Sequence, residues 1–145
     1  KIARLLEDRG HTSTGIGPEA DIGDYGRLKG DFSHKHSAVI CGLGIFGINT
    51  LLLAPKYGPR ARLASVITKA ELKYNSPLQD DGCTGCLECV SRCPSGALSR
   101  WEGNYSPASG WVIDKERCAH YIFAQNGGKR CGICVAACPY WRPEA

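Results

Sequence analysis

The chain has 145 residues, of which 43% are hydrophobic and 22% charged, with 18 Lys and Arg against 14 Asp and Glu (formal charge +4), nine Cys and no Met. That length suits one ordinary domain or two small ones with a modest core. The longest apolar stretch, Ala38 to Ala54, holds Gly42, Gly44, Gly47, Asn49 and Thr50; it falls short of the roughly 20 apolar residues of a membrane helix and is expected to be buried in protein. An odd cysteine count and the lack of a charged-then-apolar leader argue against a secreted disulfide scaffold and for a reducing cytoplasm.

In chain order, Ile2, Leu5 and Leu6 share one face of an amphipathic helix stopped by Gly10. A chain without Met that starts inside a helix is expected to lack an N-terminal portion. His11 to Phe32 is rich in Gly, Asp and Thr and reads as loops with one short strand. Ser33 is placed to cap a helix through HKHSAVIC, which Gly42 to Gly47 would stop. NTLLLAP then reads as a buried strand, Gly58 and Pro59 as a turn, and RLASVIT as a β-branched strand that returns antiparallel. Cys41, in the apolar stretch, is expected to be a small core residue. Ala70 to Asp81 turns polar, with Pro77, Asp80 and Asp81, and reads as a linker between residues 1–78 and 79–145.

The second part carries the chemistry. Cys83, Cys86, Cys89 and Cys93, followed by Pro94, form a CxxCxxCxxxCP run. Such a run binds one cubane [4Fe-4S] cluster with three cysteines and lends the fourth to a neighbour. Thiolates suit iron and sulfide because they are soft, charged donors. A shift of 45 positions carries Cys86, Cys89, Cys93 and Pro94 onto Cys131, Cys134, Cys138 and Pro139. The same shift sets Gly128 where Cys83 should find its counterpart, so the second copy lacks one ligand.

Cys118, in the helix-like segment KERCAHYIFAQN, is the nearby spare thiol, and the turn Gly127 to Lys129 would bring the chain back. The crossed rule then assigns Cys83, Cys86, Cys89 and Cys138 to cluster one, and Cys118, Cys131, Cys134 and Cys93 to cluster two. Structural zinc has no use for two CxxxCP endings or for a cysteine exchanged between motifs. Eight thiolates around two cores of about +2 each would add about −4, bringing the loaded chain near neutrality. With the basic residues scattered as well, nucleic acid is an unlikely partner for this chain alone. Trp101, Trp111 and Trp141 flank the motifs and are expected to keep water from them.

GLGIFG, Gly42 to Gly47, has the letters of a dinucleotide loop, but it follows a helix and no acid stands about 20 residues on, so a close-packed turn is expected. The order of SHKHSAVICGLGIFGINTLLLAPKYGPRARLASVIT, CxxCxxCxxxCP, WVIDKERCAHY and CGICVAACPYW resembles the epoxyqueuosine reductases and reductive dehalogenases over roughly Ser33 to Pro143. The resemblance implies an α+β chain: the end of a nitroreductase-like α/β corrinoid domain (1–78), then a ferredoxin-like domain with two [4Fe-4S] clusters (79–145). It implies the electron-transfer module of a cobalamin-dependent reductase, supplied by a ferredoxin or flavodoxin and acting on a small molecule or a tRNA. The alternative is a corrinoid-free two-cluster carrier, or a subunit of a larger redox complex.

On the same resemblance Asn49, His36, Arg60 and Arg62 are candidate corrinoid contacts. The two arginines suit a phosphate or propionate, whereas His34 and His36 fit hydrogen bonds at the helix start better. Leu28 to Ser33 lacks the Asp-x-x-Pro segment of the epoxyqueuosine branch: Asp24 and Asp31 do not match it, and no motif assigns Tyr25 as the acid of the dehalogenases. No catalytic residue is assigned.

Overall fold

The computed structural model describes residues 1–18, 28, 30, 32–79 and 82–141. Asp24, Tyr25, Asp31, Asp80, Asp81 and Pro143 lie outside the described residues, as does the Trp141 side chain.

Helix α1 spans Ile2–Glu7, and Gly10 follows at φ +87°, a left-handed value that suits glycine. The helix lies on a two-stranded antiparallel sheet of β1, Ser13–Ile16, and β4, Ser65–Thr68, with Ser13 opposite Thr68 and Ile16 opposite Ser65. The Ser13 hydroxyl donates to Thr68 Oγ1 at 2.8 Å. The RLASVIT strand therefore pairs with β1 and does not return on NTLLLAP. Its partner comes from a distant segment, which local patterning does not encode.

Helix α2, His34–Ile40, starts where Ser33 accepts a hydrogen bond from the His36 N–H. Ala38 and Val39 form its buried face. Cys41, at the C-cap, is exposed, as is Ile40, because the turn places both outside that face. The expectation of a core cysteine is corrected accordingly.

GLGIFG is more than a turn. Ile45–Phe46 is β2, paired antiparallel with β3, Leu52–Leu53, to form a hairpin. Only these two residues of NTLLLAP are strand, because Thr50, at φ +60°, and the Gly47–Leu51 backbone bonds spend the preceding residues on reversing the chain. The approach is close: a Cβ on Gly44 would sit 2.3 Å from Leu53 O, and one on Gly42 2.3 Å from Ser76 O. Residues 71–79 have no regular structure.

The later part is built of short helices: α3, Glu88–Ser91; α4, Lys115–His120, continued by a π-helical turn at Tyr121–Gln125; α5, Ile133–Ala137; and a 3₁₀ turn at Pro139–Trp141. Helices of four to six residues are unstable alone and depend on what they pack against; α3 and α5 pack on each other. Two apolar clusters meet at the hairpin. One joins Ala38, Val39, Phe46, Leu52 and Ala54; the other joins Ile48, Cys89 and Leu98, with Trp101, Trp111 and Ile113 against them. The Trp111 indole N–H donates to Ile48 O at 2.8 Å, and the Tyr105 hydroxyl to Phe46 O at 2.7 Å. The β2–β3 hairpin is thus held among the cysteine-bearing segments.

Candidate metal centre

Two cavities open beside the hairpin, and each is lined by four cysteines. Cys83, Cys86, Cys89 and Cys138 line the first, together with Gly47, Ile48, Asn49, Gly82 and Tyr140, around about 610 Å³ of open space. Gly85 at φ +69° and Leu87 at φ +60° coil the chain so that the first three sulfurs face inward. Cys138 arrives from the far end of α5, where its extended backbone ends the helix before Pro139. The Ile48 N–H points at Cys83 Sγ at 3.5 Å.

Cys93, Cys118, Cys131 and Cys134 line the second cavity, together with Asn49, Ser95, Leu98, Ile113 and Tyr121, around about 460 Å³. Cys118 comes from α4, whose start is fixed by Asp114 accepting the Arg117 N–H at 3.0 Å and pairing with the Arg117 guanidinium at 3.3 Å. Gly127 and Gly128, both at left-handed φ, return the chain to Cys131. Helix α3 and its C-terminal turn thus send Cys89 to one cavity and Cys93 to the other, and α5 does the same with Cys138 and Cys134.

Electrostatics follow the same grouping. Burial pushes the Cys89 thiol up to about 12, helped by neighbouring Cys83, Cys138 and Cys86 and, least, by Cys134 of the other quartet. Burial likewise pushes Cys134 up to about 11, helped by Cys131, Cys93 and Cys118. Cys118 and Cys138 are also raised, chiefly by burial. Cys93 differs: burial would raise it, but the Ser95 hydroxyl and the backbone N–H groups of Ser95, Leu98 and Ala97 outweigh that and lower its pKa. A quartet of mutually repelling thiols is costly to ionise without a cation, and a cationic core removes that cost. Among the described residues, no group of three or more His, Cys, Asp or Glu closes on a single ion. Four sulfurs set around open space fit a polynuclear core instead.

The remaining candidates separate. Asn49, 4% exposed, lines both cavities, donating through Nδ2 to Cys134 O at 3.4 Å and accepting the Leu51 N–H at 3.1 Å. His36 Nδ1 lies 2.6 Å from the Ser33 hydroxyl; His34 bonds Ser65 and Gly17 O. Arg60 and Arg62 are exposed beyond the Gly58–Pro59 turn and line neither cavity. Lys35, Ile48 and Tyr105 were not legible as site residues, because their sequence neighbours carry no metal-site pattern; Ser95 sits just past the Cys93–Pro94 ending, but no motif assigns a serine there a role. Burial, then the adjacent Cys83, raises the Tyr105 hydroxyl pKa.

Residues 78–141 match the family described as the 4Fe-4S dicluster domain. A tetrachloroethene reductive dehalogenase of Desulfitobacterium hafniense is 35% identical over 122 residues, covering 74% of this chain and 22% of the relative. An epoxyqueuosine reductase of Bacillus cereus is 26% identical over 123 residues, covering 76% of this chain and 30% of the relative. The chain is a homologue of the reductive dehalogenases and epoxyqueuosine reductases. It spans about a fifth to a third of the length of these relatives. A solved reductive dehalogenase, described in terms of B12-dependent dehalogenation, shares the fold at a TM-score of 0.77 and 23% identity, over 99% of this chain and 20% of the other. This homologue is therefore of mixed α and β structure with a ferredoxin-like 4Fe-4S domain. Among its described residues no helix is long and apolar enough to cross a membrane.

Proposed function

We propose that the chain is the electron-transfer module of a cobalamin-dependent reductase. The observation that carries this reading is the division of eight cysteines into two quartets, each around its own cavity, with α3 and α5 each supplying both. On this reading Cys83, Cys86, Cys89 and Cys138 hold one [4Fe-4S] cluster, and Cys93, Cys118, Cys131 and Cys134 hold the other. When bound, the clusters supply one-electron redox chemistry.

The protein's own part is to hold, shield and bias. Trp101, Trp111, Leu98 and Ile113 exclude water. The Ile48 N–H and the Ser95 hydroxyl, the latter 3.4 Å from Cys93 Sγ, offer hydrogen bonds to thiolate sulfur, which favour the more negative, reduced state.

Residues 1–78 are read as the end of a nitroreductase-like corrinoid domain and 79–145 as the ferredoxin-like domain, in a cytoplasmic reductase fed by a ferredoxin or flavodoxin. Arg60, Arg62, His36 and Asn49 are the candidates for corrinoid contacts, and the two guanidinium forks suit a phosphate or propionate. The substrate is a small molecule, as for the dehalogenase relatives, or a tRNA base on the epoxyqueuosine analogy.

The test is anaerobic purification of the full-length protein, with iron and cobalt counted beside absorption and low-temperature electron paramagnetic resonance spectra. About eight irons with a cobalt signal is the expected result. About eight irons and no cobalt, even after incubation with cobalamin, would leave a corrinoid-free electron carrier.

A further inference from the structure

The loop Ile48 to Thr50 comes from the apolar, glycine-rich half of the sequence, yet it reaches both cysteine quartets. The Ile48 N–H faces Cys83 Sγ in the first cavity, at 3.5 Å. Asn49 walls both cavities, and its Nδ2 donates to the backbone O of Cys134, a lining residue of the second. The next residue, Thr50, accepts a hydrogen bond from Lys35 Nζ at 2.7 Å through its backbone O. That lysine is half-buried, and burial, then Lys115, lowers its pKa while Cys134 raises it. An amide and a main-chain N–H are thus set between two sets of sulfurs, with a lysine tied to the residue that follows.

We infer that Ile48–Thr50, with Lys35 tied to it, is a shared control element that raises the reduction potentials of both clusters together. The inference rests on the cluster assignment proposed above. The physics is direct. Reduction adds negative charge to a cluster, and a nearby cation or N–H donor stabilises the reduced form. A group in the partition between the quartets acts on both sides, whereas a donor on an outer wall acts on one.

The test is a potentiometric titration of the loaded full-length protein, read by electron paramagnetic resonance with iron counted on each sample. Asn49→Asp keeps the acceptor for the Leu51 N–H, removes the donor to Cys134 O and puts a negative charge in the partition. Both midpoints are expected to fall, each by about a tenfold change in the reduction equilibrium, about 59 mV for a one-electron couple. Lys35→Gln should lower both by a smaller factor, the second cluster the more, while Lys56→Gln, at an exposed lysine lining neither cavity, should move neither.

Unmoved potentials at about eight irons, or a shift confined to one cluster, would overturn the inference. Should Asn49→Asp fail to load, Lys35→Gln decides, since it leaves the partition's own residues intact. An unsubstituted protein with far fewer than eight irons would instead overturn the cluster assignment, and the inference with it.

Discussion

Replacing Cys118 by Ala bears most directly on the second quartet. Cys118 is one of four thiols lining its cavity, and the cavity's other side chains, among them Leu98, Ile113 and Tyr121, offer no thiolate in its place. The one cysteine outside both quartets, Cys41, is exposed at the end of α2 and lines a separate groove with Leu63 and Val66, so it is not placed to substitute. One corner of the second cluster loses its thiolate, while the first quartet keeps all four. Iron in the anaerobically reconstituted full-length protein should fall from about eight per chain to about seven if a three-iron core survives, or to about four if the cluster is lost. The spectrum of the other cluster should remain. The matched Cys41→Ala variant should stay at about eight. Iron near eight with unchanged spectra in Cys118→Ala would refute the assignment.

Three further outcomes are expected. In the metal-free protein, Cys89 and Cys134 are held near 12 and 11 against an ordinary 9.0. Protonated thiols therefore favour the fold below about pH 9, and that contribution is lost as pH rises toward 11 and 12, where the unfolded chain ionises first; thermal melts across this window should show the decline in metal-free but not in loaded protein. Trp111→Phe strips the donor from the buried Ile48 carbonyl and should cost about 1–3 kcal/mol in denaturant unfolding. Gly42→Ala forces a side chain onto a backbone at φ +71° and against Ser76 O, and should cost about 2 kcal/mol or more by the same assay.

What the sequence revealed was what spacing alone controls. CxxC steps set how tightly a chain can coil around a core, and the helix capped by Ser33 needs only its own residues. The left-handed turn at Gly127 and Gly128 was visible for the same reason. Pairings between distant segments were hidden. RLASVIT carries β-branched residues whichever strand it meets, and its meeting with Ser13–Ile16 depends on chain far away. The hairpin strands are two residues each, too short to leave an alternating pattern. Asn49 is a corrinoid candidate on the resemblance alone; its tie to Cys134, 85 positions away, leaves no trace in the local sequence. Cys41 was misplaced because apolar neighbours mark a segment as buried without saying which side of its last helical turn faces out.

The β2–β3 hairpin also bears on how this module can be borrowed. A ferredoxin is often treated as a portable part, and residues 79–145 contain every cysteine of both quartets. Yet a wall of each cavity, the acceptor for Trp111 and the acceptor for Tyr105 are all supplied by residues 46–49. Excised at the polar stretch, the cysteine-bearing segment would leave that wall behind and open its sulfurs to solvent and oxygen. Anyone grafting it onto another reductase should carry the hairpin along, and natural recombination would face the same constraint: the unit that can be inherited is larger than the one its cysteines outline.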